Sequence, residues 1–415
     1  MAMDWNQLYS ERLRYMTTSA IREILKVAQS PEVISLSGGW PEADLFPIAQ
    51  LEEIASDVLR NKPREALQYG LTDGSVGLRQ QLAAEMQAQG IPATVENIVI
   101  TSGAQQAIDL LGRILVDEGD AVIVESPTFM GAVQSFRAYN PRLIPLPIDS
   151  DGACVDELPA LIAQHRPKLM YLLPTFHNPA GVCMSLERRR RVVQIANELG
   201  VAIVEDDPYG QLRYSGQPLS TLAALDSALA GEGQVGHAVI YLGTFSKTLT
   251  PGLRVAWAVA PVDVARQLVM AKQGADLMTN SLAQEIAAEF MRRGWLAPQV
   301  ARIRDTYRLR RDAMCAAIAE FFPAEAAYYT PEGGLFLFVT LPEGLDATAM
   351  LPEAMAHNVA YVPGQPFYVD GRGANTLRLS FASVPPEVIR EGVRRVGEVI
   401  KANLVRSSCG GGPNA

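Results

Sequence analysis

Ala238-Val239-Ile240-Tyr241-Leu242-Gly243-Thr244-Phe245-Ser246-Lys247-Thr248-Leu249-Thr250-Pro251-Gly252-Leu253-Arg254 is an apolar run, a hydroxyl-rich loop with one lysine, a Pro-Gly turn and an arginine. A second apolar run, Val255 to Ala260, follows at once. Runs that are apolar throughout, rather than alternating, suit strands buried on both faces. A lysine in a loop between two strands is in most proteins a surface residue. Three features argue for more here. α/β proteins place their sites in loops at strand ends. Hydroxyls at Thr244, Ser246 and Thr248, with Arg254, suit a phosphate. A lysine amine enclosed in such a place can lose its proton and form a Schiff base with a carbonyl.

Similar short runs precede this pair: Ile98 to Ile100, Val122 to Val124, Leu143 to Leu146, Leu169 to Leu173 and Val201 to Val204. With Val239 to Leu242 and Val255 to Val259 they make seven. Helical stretches such as Gln105 to Leu115 and Leu186 to Leu199 lie between several of them. The pattern predicts an α/β fold whose large domain has a mostly parallel seven-stranded sheet flanked by helices. Further helices are expected at Ser19 to Ala28, Ile48 to Arg60 and Leu78 to Gln89. After residue 282 the chain reads as helical to about Phe322. Strands at Gly334 to Leu341, Val359 to Val362 and Thr376 to Phe381, and a helix from Pro386 to Leu404, predict a smaller α/β domain. The short strand near Ile34 is expected to join it. The expected division is 1–47 as N-terminal arm and small-domain segment, 48–283 as large domain, 284–406 as small domain, and 407–415 as a disordered tail.

The chain has 415 residues, 48% hydrophobic and 20% charged, with a net charge of −9. That excludes a general nucleic-acid binder, which needs basic patches, and predicts a cytoplasmic protein. Four scattered cysteines and four scattered histidines give no metal-like spacing, so no metal site is expected. The N-terminus lacks the basic and apolar regions of a signal peptide, and no apolar run approaches the ~20 residues of a membrane span.

The chemistry gathers where the apolar runs end. Ile100 is followed by Thr101-Ser102-Gly103-Ala104-Gln105 and a helix. Such a turn aims backbone N–H groups at an anion, though it also simply caps helices. After Val124 comes Phe129, an aromatic able to stack on a planar ring or to pack in the rim. After Leu173 comes His177-Asn178-Pro179-Ala180-Gly181, where Asn178 can donate to a ligand oxygen or stabilise its own turn. After Val204 come Glu205-Asp206-Asp207-Pro208-Tyr209. Carboxylates directly after a buried strand are costly without a partner; a protonated pyridine nitrogen is one such partner, and a helix N-cap and a metal site are the competing readings, with no histidine alongside to favour a metal. Arg378 lies inside the apolar strand Thr376 to Phe381. It needs a bidentate partner, either a substrate carboxylate or a structural acid. A Schiff-base lysine beside a phosphate anchor is the signature of pyridoxal 5′-phosphate (PLP).

In this order the motifs resemble the PLP-dependent aminotransferases of the aspartate-aminotransferase fold (class I/II), PLP-dependent transferase fold type I. The resemblance covers roughly residues 15 to 405. Ser37-Gly38-Gly39, Phe46-Pro47, Gln68-Tyr69-Gly70, Gly243 to Lys247 and Pro251 to Arg254 bring it nearest to the 2-aminoadipate, aromatic and branched-chain group. The resemblance implies that Lys247 holds PLP and shuttles a proton. It implies that Asp206 pairs with the ring nitrogen, that Tyr209 and Asn178 bond the ring oxygen, and that Phe129 stacks on the ring. Ser102, Gly103, Ala104, Gln105, Thr244, Ser246 and Arg254 match the phosphate cradle. Tyr69 resembles the tyrosine that reaches the phosphate from a neighbouring subunit, which implies a homodimer with shared active sites. Arg378 resembles the α-carboxylate clamp, with Gly39 contributing backbone. Two departures stand out: Ala180 in the Asn-Pro loop, and Trp40 after the glycine pair, which narrows the substrate pocket. Arg22, on the expected N-terminal helix, is either a receiver of an acidic substrate side chain or a solvated surface residue. A PLP-dependent β-lyase or synthase on the same fold would use the same residues. A MocR-type transcription regulator would need a winged helix-turn-helix, for which the roughly 30 residues before the fold are too few.

Overall fold

The computed structural model describes residues 3–16, 30 and 32–409. The expected helix Ser19 to Ala28, with Arg22, lies outside the described residues. All seven expected strands of the large sheet form: β2 (Ile98–Thr101), β3 (Ala121–Ser126), β4 (Arg142–Asp149), β6 (Leu169–Leu172), β7 (Ala202–Asp206), β8 (Val239–Thr244) and β9 (Ala256–Val259). An eighth, β5 (Gly152–Ala153), turns back on β4. Gly152, at a φ of 89°, makes that hairpin possible, and two residues are too few to leave a hydrophobic pattern. The order is β2-β9-β8-β7-β6-β3-β4-β5. The β4-β3-β6-β7-β8 pairings are parallel, and β9 runs antiparallel between β8 and β2.

Residue parity decides which side of the sheet each side chain enters. Ile100, Ile123, Leu172, Ile203, Tyr241 and Trp257 enter one apolar cluster, with the helices Ile48–Asn61, Val76–Ala88 and Ser281–Arg292. Val99, Val124, Tyr171, Val204, Leu242 and Ala258 enter another, against the helix Ala104–Leu115. The sheet is thus covered on both faces, as its apolar runs require.

A third cluster is built on the helices Leu296–Phe321 and Pro386–Cys409. It carries the four-stranded sheet β10-β11-β14-β13 (Ala327–Tyr328, Phe336–Thr340, Thr376–Ser380, Val362–Pro363). Beside it, β1 (Ile34–Ser35) pairs in parallel with β12 (Val359–Ala360). The single strand expected over Val359 to Val362 is therefore two, on either side of Tyr361, whose buried hydroxyl donates to the Ala347 carbonyl at 2.7 Å. The helical stretch after residue 282 breaks at Gly294, in a left-handed conformation (φ 70°). The expected boundary at residue 283 falls inside the helix Ser281–Arg292, whose Ile286, Ala287 and Phe290 pack into the first cluster. The expected disordered tail is helical as far as Cys409, held at its start by Arg406 on Glu353 and by the Ser407 hydroxyl on the Leu404 carbonyl. Residues 410–415 lie outside the described residues. Among the described residues no helix is long and apolar enough to cross a membrane.

Candidate active site

The register brings the expected residues to one end of the sheet. Thr101 and Thr244 both pair with Ala256, and Leu242 pairs with Asp206. Hence Ser102 after β2, Arg254 before β9, Lys247 after β8, Tyr209 after β7, Asn178 after β6 and Phe129 after β3 project from the same edge. This is the carboxyl end of the parallel strands, where open α/β sheets bind ligands.

Gly103, at a φ of 85°, opens the helix Ala104–Leu115, and no side chain caps that helix. The Arg254 guanidinium lies so close that a Cβ on Gly103 would sit 2.1 Å from it. Arg254 donates to the Ser102 carbonyl at 3.3 Å. Thr244 Oγ1 and Ser246 Oγ are 3.0 Å apart, and the Ser246 amide donates to Thr244 Oγ1. An uncapped helix start, a guanidinium and two hydroxyls form an anion cradle. Two members are engaged within the protein. The Ser102 hydroxyl donates to Asp276, itself paired with the buried Lys272, and the Ser102 amide donates to Gln106. The Gln105 side chain donates to Gly131 and Ser135. Gly131 also leaves room for the Phe129 ring, which a Cβ would meet at 2.4 Å.

Lys247 is partly buried and its Nζ donates to the Gly39 carbonyl at 2.7 Å. Burial, then the charges of Arg378 and Arg254, lower its pKa to about 8. A fraction of the amine is therefore neutral near physiological pH. Asp206 is buried, and burial pushes its carboxyl up to about 7, opposed by a hydrogen bond from Tyr171 and assisted by the Asp207 charge. Tyr171 donates to Oδ2 at 2.5 Å, while Oδ1 has no partner among the described residues. Tyr209 packs edge-on against Phe336 (6.1 Å between centroids) and hydrogen-bonds Asn178.

Arg378, on β14, donates to Asn178 Oδ1 and to the Ser37 carbonyl, both at 2.9 Å. Its guanidinium lies over the Phe336 ring at 4.1 Å and the Phe367 ring at 5.1 Å. Burial lowers its pKa to about 10. Its Nε has no partner, and no carboxylate pairs with it among the described residues. Among the described residues the fold therefore builds no structural salt bridge for Arg378. Gly39 abuts Phe336, with 2.7 Å left for a Cβ.

Tyr69 is 79% exposed and Trp40 45% exposed, with the Trp40 ring against Gly38. A crevice of about 880 Å³ is lined by Thr244 of the cradle and by Asp207, Tyr241, Thr248, Trp257 and Arg304, but not by Lys247, Asn178 or Arg378. Sequence reasoning missed Tyr171, Phe336, Phe367 and Asp276. Only Tyr171 left a signal: a phenol inside a run buried on both faces must find an acceptor.

Residues 31–396 match the family model for aminotransferase class I and II. The chain is 43% identical over 408 residues to aromatic-amino-acid aminotransferase 1 of Thermococcus litoralis, covering 97% of this chain and 96% of that protein. The multiple substrate aminotransferase of Thermococcus profundus superposes with a TM-score of 0.92 at 42% identity, over 97% of this chain and all of the other. The alpha-aminoadipate aminotransferase of Thermus thermophilus, solved with N-(5′-phosphopyridoxyl)-L-leucine, superposes with a TM-score of 0.90 at 39% identity, over 97% and 100% of the two chains. The chain belongs to the class I and II aminotransferases. It is a PLP-dependent transaminase.

Proposed function

We propose that this transaminase passes an amino group from an aromatic, branched-chain or 2-aminoadipate donor to a 2-oxo acid, 2-oxoglutarate foremost, with ping-pong kinetics. In this reading it works in the cytoplasm as a homodimer with shared sites. Residues 48–283 form the cofactor-binding domain and 284–406 the bulk of the small one, with the helix Ser281–Arg292 in the core of the large body. The observation that carries the assignment of the site is the pairing of two opposite needs at one sheet end. Lys247 offers an amine that burial makes easy to deprotonate, and Asp206 offers a buried carboxylate oxygen with nothing to accept from. PLP answers both, with an aldehyde for the amine and a basic ring nitrogen for the acid.

When bound, PLP supplies an electron sink for the substrate Cα–H bond. The chain's own residues do the rest. Asp206 holds a proton on the ring nitrogen by remaining charged beside it. Asn178 and Tyr209 bond the ring oxygen, and Phe129 covers the ring face. Ser102 to Gln105, Thr244, Ser246 and Arg254 hold the phosphate. Because the Ser102 side chain and amide, the Gly103 amide and the Gln105 side chain are already engaged, the share of this turn is the backbone amides of Ala104 and Gln105 at the helix start. Arg378 binds the substrate carboxylate; the two aromatic rings leave its edge, with the unpartnered Nε, for that ligand. Gly39 gives backbone. Lys247 would hold the cofactor aldehyde, and its amine, when free, is the base that would take and return the Cα proton of the substrate. The exposure of Tyr69 supports its reaching a second subunit. The names of the relatives support the donor class. Arg22 lies outside the described residues, and an acidic-side-chain role for it remains a proposal. The Trp40 ring against Gly38 supports a role for Trp40 in narrowing the pocket.

Lys247→Ala is expected to abolish transamination and the cofactor's visible band together. Retention of either removes Lys247 from its role. In the wild type, amino acid alone is expected to leave pyridoxamine phosphate on the enzyme, and a panel of donors read this way identifies the preferred one.

A further inference from the structure

Tyr171 stands in β6 with no surface exposed. It is registered beside Val204, so its side chain reaches the next same-face residue of the neighbouring strand, Asp206. Its ring packs edge-on against Phe136, 5.9 Å between centroids. Its hydroxyl donates to Asp206 Oδ2 at 2.5 Å, and Oδ1 is left without a partner among the described residues. A carboxylate has two equivalent oxygens and a soft terminal torsion. A single donor locked in a strand removes that freedom and decides which oxygen stays open.

We propose that Tyr171 is a positioning residue of the transamination site: by occupying Oδ2 it aims Asp206 Oδ1 at the cofactor ring nitrogen and keeps the carboxylate charged. The inference rests on the reading that Asp206 pairs with that nitrogen. The energetics agree with the geometry. Burial and Asp207 both press Asp206 toward its neutral form, and the Tyr171 hydrogen bond opposes them. Burial holds the Tyr171 phenol far above its ordinary range, so it remains a donor throughout. Without it, the shared proton would pass from the ring nitrogen to the acid.

Tyr171→Phe removes one hydroxyl and keeps the ring that packs on Phe136, so the fold should stand. Reconstituting the holoenzyme with PLP labelled with ¹⁵N in its ring reads the nitrogen directly. In Tyr171→Phe the resonance is expected to move toward unprotonated pyridine at neutral pH. kcat should fall about tenfold, the effect of losing one hydrogen bond to a charged group, with KM for the oxo acid unchanged. In an Asp206→Asn background the same substitution should add nothing. A nitrogen resonance unchanged by Tyr171→Phe but moved by Asp206→Asn overturns the role of Tyr171 alone. A resonance that neither substitution moves overturns the pairing on which it rests.

Discussion

Glu205 and Asp206 are consecutive on β7, both fully buried, both pushed by burial to a pKa of about 7. They enter opposite faces of the sheet. The two oxygens of Glu205 accept from the amides of Leu222 at 2.8 Å and Ala223 at 2.9 Å, the first residues of the helix Leu222–Ala230. Asp206 takes one phenol on one oxygen and nothing on the other. The first carboxylate is saturated by the fold and plugs a helix start, where the dipole favours it. The second is left open by the fold. With burial and pKa equal, what separates architecture from site is whether the hydrogen-bond capacity is spent.

Isosteric amides at the two positions test that contrast. Asp206→Asn keeps an acceptor for Tyr171 and removes the charge. Transamination kcat/KM is expected to fall on the order of 10²–10³-fold, the scale of losing one preorganised electrostatic group, with apoenzyme stability in urea unchanged within about 1 kcal/mol. Glu205→Gln should do the reverse. Its amide turns a donor toward a backbone donor, costing about 1–3 kcal/mol in urea unfolding, with the activity of folded enzyme nearly intact. If the two swap outcomes, hydrogen-bond saturation does not separate the roles.

A smaller effect follows from their raised pKa values. Between the ordinary carboxyl value (3.8 for Asp) and about 7, the folded apoenzyme holds protons that the unfolded chain releases. The unfolded state then binds fewer protons, so stability falls as pH rises through that window. Melting curves of the apoenzyme from pH 5 to 8 should show this fall. It should be shallower in Asp206→Asn, and shallower again with PLP bound, since the ring cation removes the cost of the charge.

Much of this was legible in the chain. The large sheet was, because strands buried on both faces must be apolar throughout and seven such runs are hard to mistake. The Lys247 loop was, because hydroxyls, an arginine and a Pro-Gly turn between two such runs have few other uses. Glu205, Asp206 and Asp207 were conspicuous together, but their separate fates were not. Those depend on parity and on which helix start or phenol lies across the sheet. Tyr171 counted only as one more member of an apolar run. Pieces of two residues, such as β5 and β12, carry no period. The rings that flank Arg378 come from positions 336 and 367, joined to it only by the fold.

The pairing of Ile34 with Val359 has a consequence in time. Ser380 donates its amide to the Leu36 carbonyl, and Arg378 reaches Ser37. The segment that presents the Gly39 carbonyl to Lys247 leaves the ribosome long before its strand partner, which lies more than three hundred residues further along the chain. The glycine corner of the pocket thus stays unpaired while the intervening chain is made, a long-range closure of the kind that slows folding. A nascent chain stalled before residue 359 should already hold the large sheet while lacking a finished mouth for its substrate.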